Sequence, residues 1–115
     1  MALDSNCIFC KIIEGEIPAE IVYRDENVVA FNDLNPQAPT HVLLVPTLHV
    51  ENAAALAEAS AVVSASLLRA AKAVAAERAL PGYRTVFNTG EAAGQSVFHA
   101  HMHLLGGRDF TWPPG

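Results

Sequence analysis

The sequence predicts an α+β fold, an antiparallel sheet with helices packed on it. Three observations carry that expectation. Short runs of strand composition recur along the chain. Most neighbouring runs are joined by links too short for a parallel crossover, so those strands must pair antiparallel. One alanine-rich stretch has helical spacing and is the only segment that bridges two strands at a distance.

The elements follow in order. Cys7 to Glu14 reads as a short helix that ends at Gly15, with Pro18 marking the break. Glu20 to Arg24 (EIVYR) is a strand, Asp25-Glu26-Asn27 a tight turn, and Val28 to Asn32 the returning strand. Asp33 to Pro39 is a polar loop with two prolines, and His41 to Val45 is a third strand closed by Pro46. A long helix comes next, with Asn52 or Ser60 as candidate caps. Its apolar stripe is Val63, Leu67, Leu68, Ala71, Val74 and Ala75, with Arg69, Lys72, Glu77 and Arg78 largely off it. Pro81-Gly82 ends it. Tyr83 to Asn88 (YRTVFN) is a fourth strand, the loop TGEAAGQ follows, and Val97 to Leu105 is a fifth. The tail GGRDFTWPPG is irregular. The sum is five strands, one long helix and one short one.

The composition bounds the function. A chain of 115 residues, 51% hydrophobic, suits one compact domain with a core of its own. A domain this small would gain from pairing into a dimer. The net charge of -5 and the lack of a basic run argue against binding a nucleic-acid backbone, though not against a single nucleotide. No apolar stretch is long enough to span a bilayer, and MALDSNCIF carries an acid, Asp4, and no positive side chain where a signal peptide would carry positive charge, so a cytoplasmic protein without membrane association is expected. Cys7 and Cys10, the two cysteines, form one C-x-x-C. That is no disulfide framework; it is half a zinc site, a redox pair, or two packed thiols.

The densest signal is HAHMH, His99 to His103, which holds three of the five histidines on alternate residues. By composition alone such a row arises with odds of roughly one in a hundred. In a strand the three rings share one face, roughly 7 Å apart in succession, while Phe98, Ala100, Met102 and Leu104 face the core. A plain polar face is the simplest account. Three imidazoles could also hold zinc with an open position. Alternatively the central ring is a nucleophile whose neighbours fix its tautomer and bind an anion. Gly94-Gln95-Ser96 just upstream offers a permissive backbone, a hydroxyl and amide groups able to form an anion nest, which favours a phosphate over a metal.

The row, with CIFCKIIEGEIPAEIVYRDE, FNDLNPQAPTHVLLVP, GYRTVFNTG, GQSVFHAHMHLLGGR and the terminal WPPG, resembles the Hint branch of the histidine triad (HIT) superfamily over nearly the whole chain. The resemblance implies a single HIT domain over residues 1–115 and a homodimer of five-stranded sheets. It implies a purine nucleotide substrate such as an adenosine monophosphate derivative, cleaved at the α-phosphorus. On the same ground His101 would be the nucleophile, forming a nucleotidyl-histidine that water resolves. A backbone carbonyl at His99 would hold the far nitrogen of His101. His99 and His103 would flank the phosphate, His41 would orient the triad, and Ser96 would assist the leaving group. Gly94, Gln95 and Asn88 would add phosphate contacts. Asp33 would accept the ribose hydroxyls; Ile8, Phe9, Ile12, Phe31 and Leu34 would form the base slot; Trp112 would reach the partner subunit's site.

The resemblance also implies that Cys7, Cys10, His49 and His99 hold a structural zinc, with no cofactor needed for catalysis. The expected activity is a nucleoside phosphoramidate hydrolase. A dinucleoside polyphosphate hydrolase is the main alternative within the superfamily, and Ser96 with the GGRDFTWPPG tail favours the Hint branch. Outside it stand a nucleotide-binding regulator with incidental catalysis and a zinc-dependent hydrolase.

Overall fold

The structure, a computed structural model, describes residues 4–115. Helix α1 (Ile8–Ile13) starts at Cys7, whose sulfur accepts from the Cys10 amide, and closes at Glu14. Gly15 then takes φ +83°, a conformation that costs glycine little, and the chain turns away. Strands β1 (Ile21–Arg24) and β2 (Val28–Asn32) form a hairpin. Its turn is set by Asp25, whose carboxylate accepts from the Asn27 and Val28 amides at 2.8 and 2.9 Å. Strand β3 (Thr40–Pro46) is buried along its whole length. Strands β4 (Tyr83–Val86) and β5 (Met102–Gly106) complete a sheet of order β1-β2-β3-β5-β4, antiparallel at every pair. The expected α+β architecture is thus the observed one.

The single long helix is corrected to two, α2 (Ala53–Ala59) and α3 (Ala61–Glu77). Both candidate caps are used. Asn52 accepts from the Ala55 amide and Ser60 from the Val63 amide, at 2.9 and 3.1 Å. Ser60 is extended (φ -161°, ψ 108°), so one residue ends α2 and starts α3. The stripe of α3 holds at Leu67, Ala71, Val74 and Ala75, joined by Ser66 and Ala70, with Val63 packed at its edge. Leu68 is 59% exposed. It follows Leu67 by one residue, about 100° around the helix, and leaves the core face to smaller Ala70 and Ala71.

Strand alternation sorts the sheet into two cores. Val28, Ala30, Val42, Leu44, Met102 and Leu104 face α2 and α3. Val29, Phe31, Leu43 and Val45 face the other way, onto Phe9 and Ile12 of α1. In the register, Leu43 lies opposite His103. The α1 side therefore carries both an apolar wall and the histidines.

The strand expected over Val97–Leu105 begins only at Met102. Residues 97–99 form a bend, and the Ala100 amide donates to the Val50 carbonyl at 2.8 Å, beyond the end of β3. Once the chain leaves the ladder, the period of two no longer governs it. Ala100, Met102 and Leu104 are buried as expected, but Phe98 is 42% exposed rather than in the core. Strand β4 likewise stops short of Asn88. Among the described residues no helix is long and apolar enough to cross a membrane.

Candidate functional site

A cavity of about 310 Å³ lies between α1, the end of β2 and the start of β5, large enough for a small organic ligand. Its walls include the whole expected base slot, Ile8, Phe9, Ile12, Phe31 and Leu34, together with Asp33, Ser96, His101 and His103. Phe9 meets the edges of both Phe31 and His101, at centroid distances of 5.7 and 5.0 Å. Sequence reasoning missed the Ile17-Pro18-Ala19 wall, Glu20, Asn32, Leu43 and Val97. Pro18 was legible only as a break; nothing local shows that a connecting segment lines a pocket.

Hydrogen bonds fix the tautomer of each histidine in the cavity. The Nδ1 of His101 lies 2.8 Å from the His99 carbonyl, which only accepts. Nδ1 therefore carries a hydrogen, and in the neutral ring the lone pair is the one on Nε2. A second chain starts at the Gln37 amide, which donates to His41 Nδ1 at 3.0 Å. The Nε2 of His41 must then be the protonated nitrogen, and it donates to His103 Nδ1 at 2.9 Å. That leaves His103 with its hydrogen on Nε2. The pair of rings thus offers one nucleophilic lone pair and one hydrogen-bond donor.

Burial keeps the relay neutral. It pushes His103 down to about 4, helped by the neighbouring His101 and His41 rings. Burial also holds His41 below its ordinary value, against the pull of the Asp33 carboxylate 3.4 Å from its Nε2. Asp33 is braced by the Asn35 amide, which donates to its other oxygen at 2.8 Å.

His99 departs from the expected row. It is fully buried, does not line the cavity, and cannot flank a phosphate there with its ring. The bend before Met102 turns it away from His101 and His103. Its Nε2 donates to the Pro46 carbonyl at 2.8 Å, so Nδ1 presents a lone pair. That nitrogen lies 3.4 Å from the Cys7 sulfur, 3.5 Å from the Cys10 sulfur and 3.0 Å from His49 Nδ1. Cys10 and His49 are 3.2 Å apart, and the four donor atoms all fall within 4.8 Å of one another. A tetrahedral zinc with this donor set separates its ligand atoms by roughly 3.3–3.8 Å. The residues therefore fit a closed Cys₂His₂ site, with the Pro46 carbonyl as the outer partner that orients His99. The reading of three triad imidazoles as one metal set is excluded, because the first points into a different cluster.

The loop before the triad is organised by Gln95. Its buried side chain accepts from the Gly90 amide at 2.9 Å and donates to the Glu51 and Val97 carbonyls at 2.8 and 3.0 Å. Its amide group is spent on the loop rather than turned to the cavity. Gly94 takes φ +93° and lets the chain leave the 3-10 turn Glu91–Ala93 toward Ser96. Neither Gly94 nor Asn88 lines the cavity, and Trp112 stands 82% exposed away from it.

Comparison with known proteins matches residues 14–110 to the HIT domain family model. The chain is 50% identical to a 14 kDa zinc-binding protein of Zea mays, covering 97% of this chain and 90% of that one. It is 44% identical to an adenylylsulfatase, HINT1, of Arabidopsis thaliana, over 97% and 78%. A solved HIT family hydrolase from Clostridium thermocellum superposes with a TM-score of 0.90 at 46% identity, over 95% and 96% of the two chains.

Proposed function

The chain belongs to the HIT family, and on that footing we propose that it is a hydrolase of purine nucleoside phosphoramidates working through a nucleotidyl-His101 intermediate. The observation that carries this reading is the 2.8 Å bond from His101 Nδ1 to the His99 carbonyl. It selects the tautomer of the neutral ring whose lone pair is on Nε2, the form a nucleophilic histidine needs.

In the first step His101 Nε2 attacks the α-phosphorus. The phosphorus–nitrogen bond to the leaving amine breaks, and the amine leaves with a proton supplied through the Ser96 hydroxyl. His103 Nε2–H donates to a phosphate oxygen as charge develops on it. Water then attacks phosphorus and returns a proton through Ser96, the bond to His101 breaks with its electron pair going back to Nε2, and the nucleoside monophosphate departs. The apolar slot takes the base and Asp33 the ribose hydroxyls. Gln95 and Gly94 act by shaping the loop that carries Ser96, Asn88 adds a phosphate contact, and Trp112 reaches the partner subunit's site in the homodimer. Support for that dimer is the open edge of the sheet at β4, where Tyr83 stands exposed.

Cys7, Cys10, His49 and His99 would hold zinc as a brace, supplying folding energy rather than chemistry. The name of the maize relative agrees with that assignment. The name of the Arabidopsis relative supports testing adenylyl sulfate as a second substrate, where sulfate replaces the amine as leaving group.

The test is release of AMP from an adenosine phosphoramidate by the parent protein, by His101→Ala, and by parent treated with a chelator. Turnover lost in the variant and kept after chelation supports the histidine mechanism. Turnover lost to chelation alone moves the chemistry to a metal. A folded parent that binds AMP without turning over the phosphoramidate, the sulfate or a dinucleoside polyphosphate is a binding module.

A further inference from the structure

We propose that Glu20 is a specificity-determining residue that reads the edge of the base and favours guanine over adenine. The inference rests on the nucleotide-binding reading above. Apart from the histidines and Ser96, the polar side chains lining the cavity are Glu20, Asn32 and Asp33. Asp33 is already engaged by the Asn35 amide and lies against His41. The Glu20–Asn32 pair is left facing an apolar wall.

That pair is oriented by a chain of hydrogen bonds from outside the cavity. Arg78, at the end of α3, donates from Nη2 to Asn32 Oδ1 at 3.2 Å and from Nη1 to Thr40 Oγ1 at 3.4 Å. Its contact with Oδ1 settles which end of the Asn32 amide is oxygen, so Nδ2 donates to Glu20 Oε1. The Asn32 main-chain amide also donates to the Glu20 carbonyl, at 3.1 Å, and ties the two residues together. Glu20 is exposed, yet its carboxylate is held at the cavity by a partner that is itself held.

What the carboxylate offers is acceptors only. Oε2 is free of protein partners among the described residues, and Oε1 keeps a second lone pair. Two adjacent acceptors match two adjacent N–H donors. Guanine presents such an edge in its N1–H and exocyclic amine. Hypoxanthine keeps N1–H but lacks the amine. Adenine carries one amine beside an unprotonated N1, whose lone pair opposes a carboxylate. Charge-assisted pairs of this geometry are the stronger class of hydrogen bond, and tethering by Asn32 lowers the cost of ordering the glutamate.

The experiment is calorimetric titration of GMP, IMP and AMP into the parent protein, Glu20→Gln and Glu20→Ala, with melting curves to check folding. The parent should bind GMP roughly five- to ten-fold more tightly than AMP, with IMP between. Both variants should lose most of that ratio while their AMP affinity stays within about two-fold. Equal binding of GMP and AMP by the parent, or a guanine preference that survives in Glu20→Ala, overturns this inference and leaves the proposed function standing. Failure of the folded parent to bind any of the three removes both.

Discussion

Two clusters of imidazoles flank Phe9, whose ring lies 6.0 Å from His99 on one side and 5.0 Å from His101 on the other. They are built on opposite logic. In the Cys7–Cys10–His49–His99 cluster, sulfurs and ring nitrogens converge on one point, because the far nitrogen of His99 is spent on the Pro46 carbonyl. At the cavity, His41 gives its hydrogen to His103 and His101 gives its Nδ1 hydrogen to the His99 carbonyl, so the two neutral rings that line it offer one lone pair and one donor. The residue type is the same in both. The partner of the second nitrogen decides whether a histidine gathers a cation, attacks an electrophile or holds an anion.

The largest predicted effect separates the two clusters outright. His101→Ala should lower turnover by at least about a thousand-fold, with AMP affinity changed only a few-fold. Intact-mass measurement on rapidly quenched mixtures should find the nucleotidyl adduct in the parent and not in the variant. Next in size is Cys10→Ala, which removes a fully buried sulfur from the proposed zinc site. Its melting temperature should fall by on the order of 10 °C, with turnover per folded molecule kept within several-fold. If turnover instead collapses as in His101→Ala, the two clusters are one catalytic unit and the contrast fails.

The third prediction uses pH. His103 is depressed to about 4 in the fold, from an ordinary value near 6.5. Between those values the unfolded chain binds more protons, so the stability contributed by the neutral ring is present above about 6.5 and is lost as pH falls toward 4. Denaturation midpoints should decline across that window, and His103→Asn should flatten the decline. The smallest effect belongs to Ser96→Ala, expected to slow phosphoramidate turnover roughly five-fold if one hydrogen bond to the leaving amine is lost. A substrate with a better leaving group should show less, which initial-rate kinetics on the two substrates would detect.

Much of this was legible in the sequence because it is periodic or chemically marked. Strand β2 matches its expected bounds, since its turn is encoded by Asp25 and its end by the polar Asn32-Asp33 pair. The caps at Asn52 and Ser60 were visible too, but not that Ser60 serves two helices, because an alanine-rich run has the same propensity on both sides of a break. The apolar residues expected to take the base and the cysteine cluster were legible through resemblance, and the fold brings each set together. The chief misreading came from the histidine row itself. Alternation places rings on one face only while the chain stays in a ladder, and the pull of the Val50 and Pro46 carbonyls on Ala100 and His99 is a long-range fact.

His99 thus serves through two chemical groups that genetics treats unequally. Its imidazole can be exchanged by any codon change, whereas its carbonyl, which holds the His101 hydrogen, is common to every amino acid. A complete substitution scan at position 99 would report on the thiol cluster and stay blind to the acceptor. Only editing the main chain exposes that half, for instance by semisynthesis with the α-hydroxy analogue of Ala100, which turns the His99–Ala100 amide into an ester with a weaker oxygen. The same edit removes the Ala100 N–H that reaches Val50. A variant at Val50 would not reproduce that loss, so the fair control is an ester placed where only the N–H is in use.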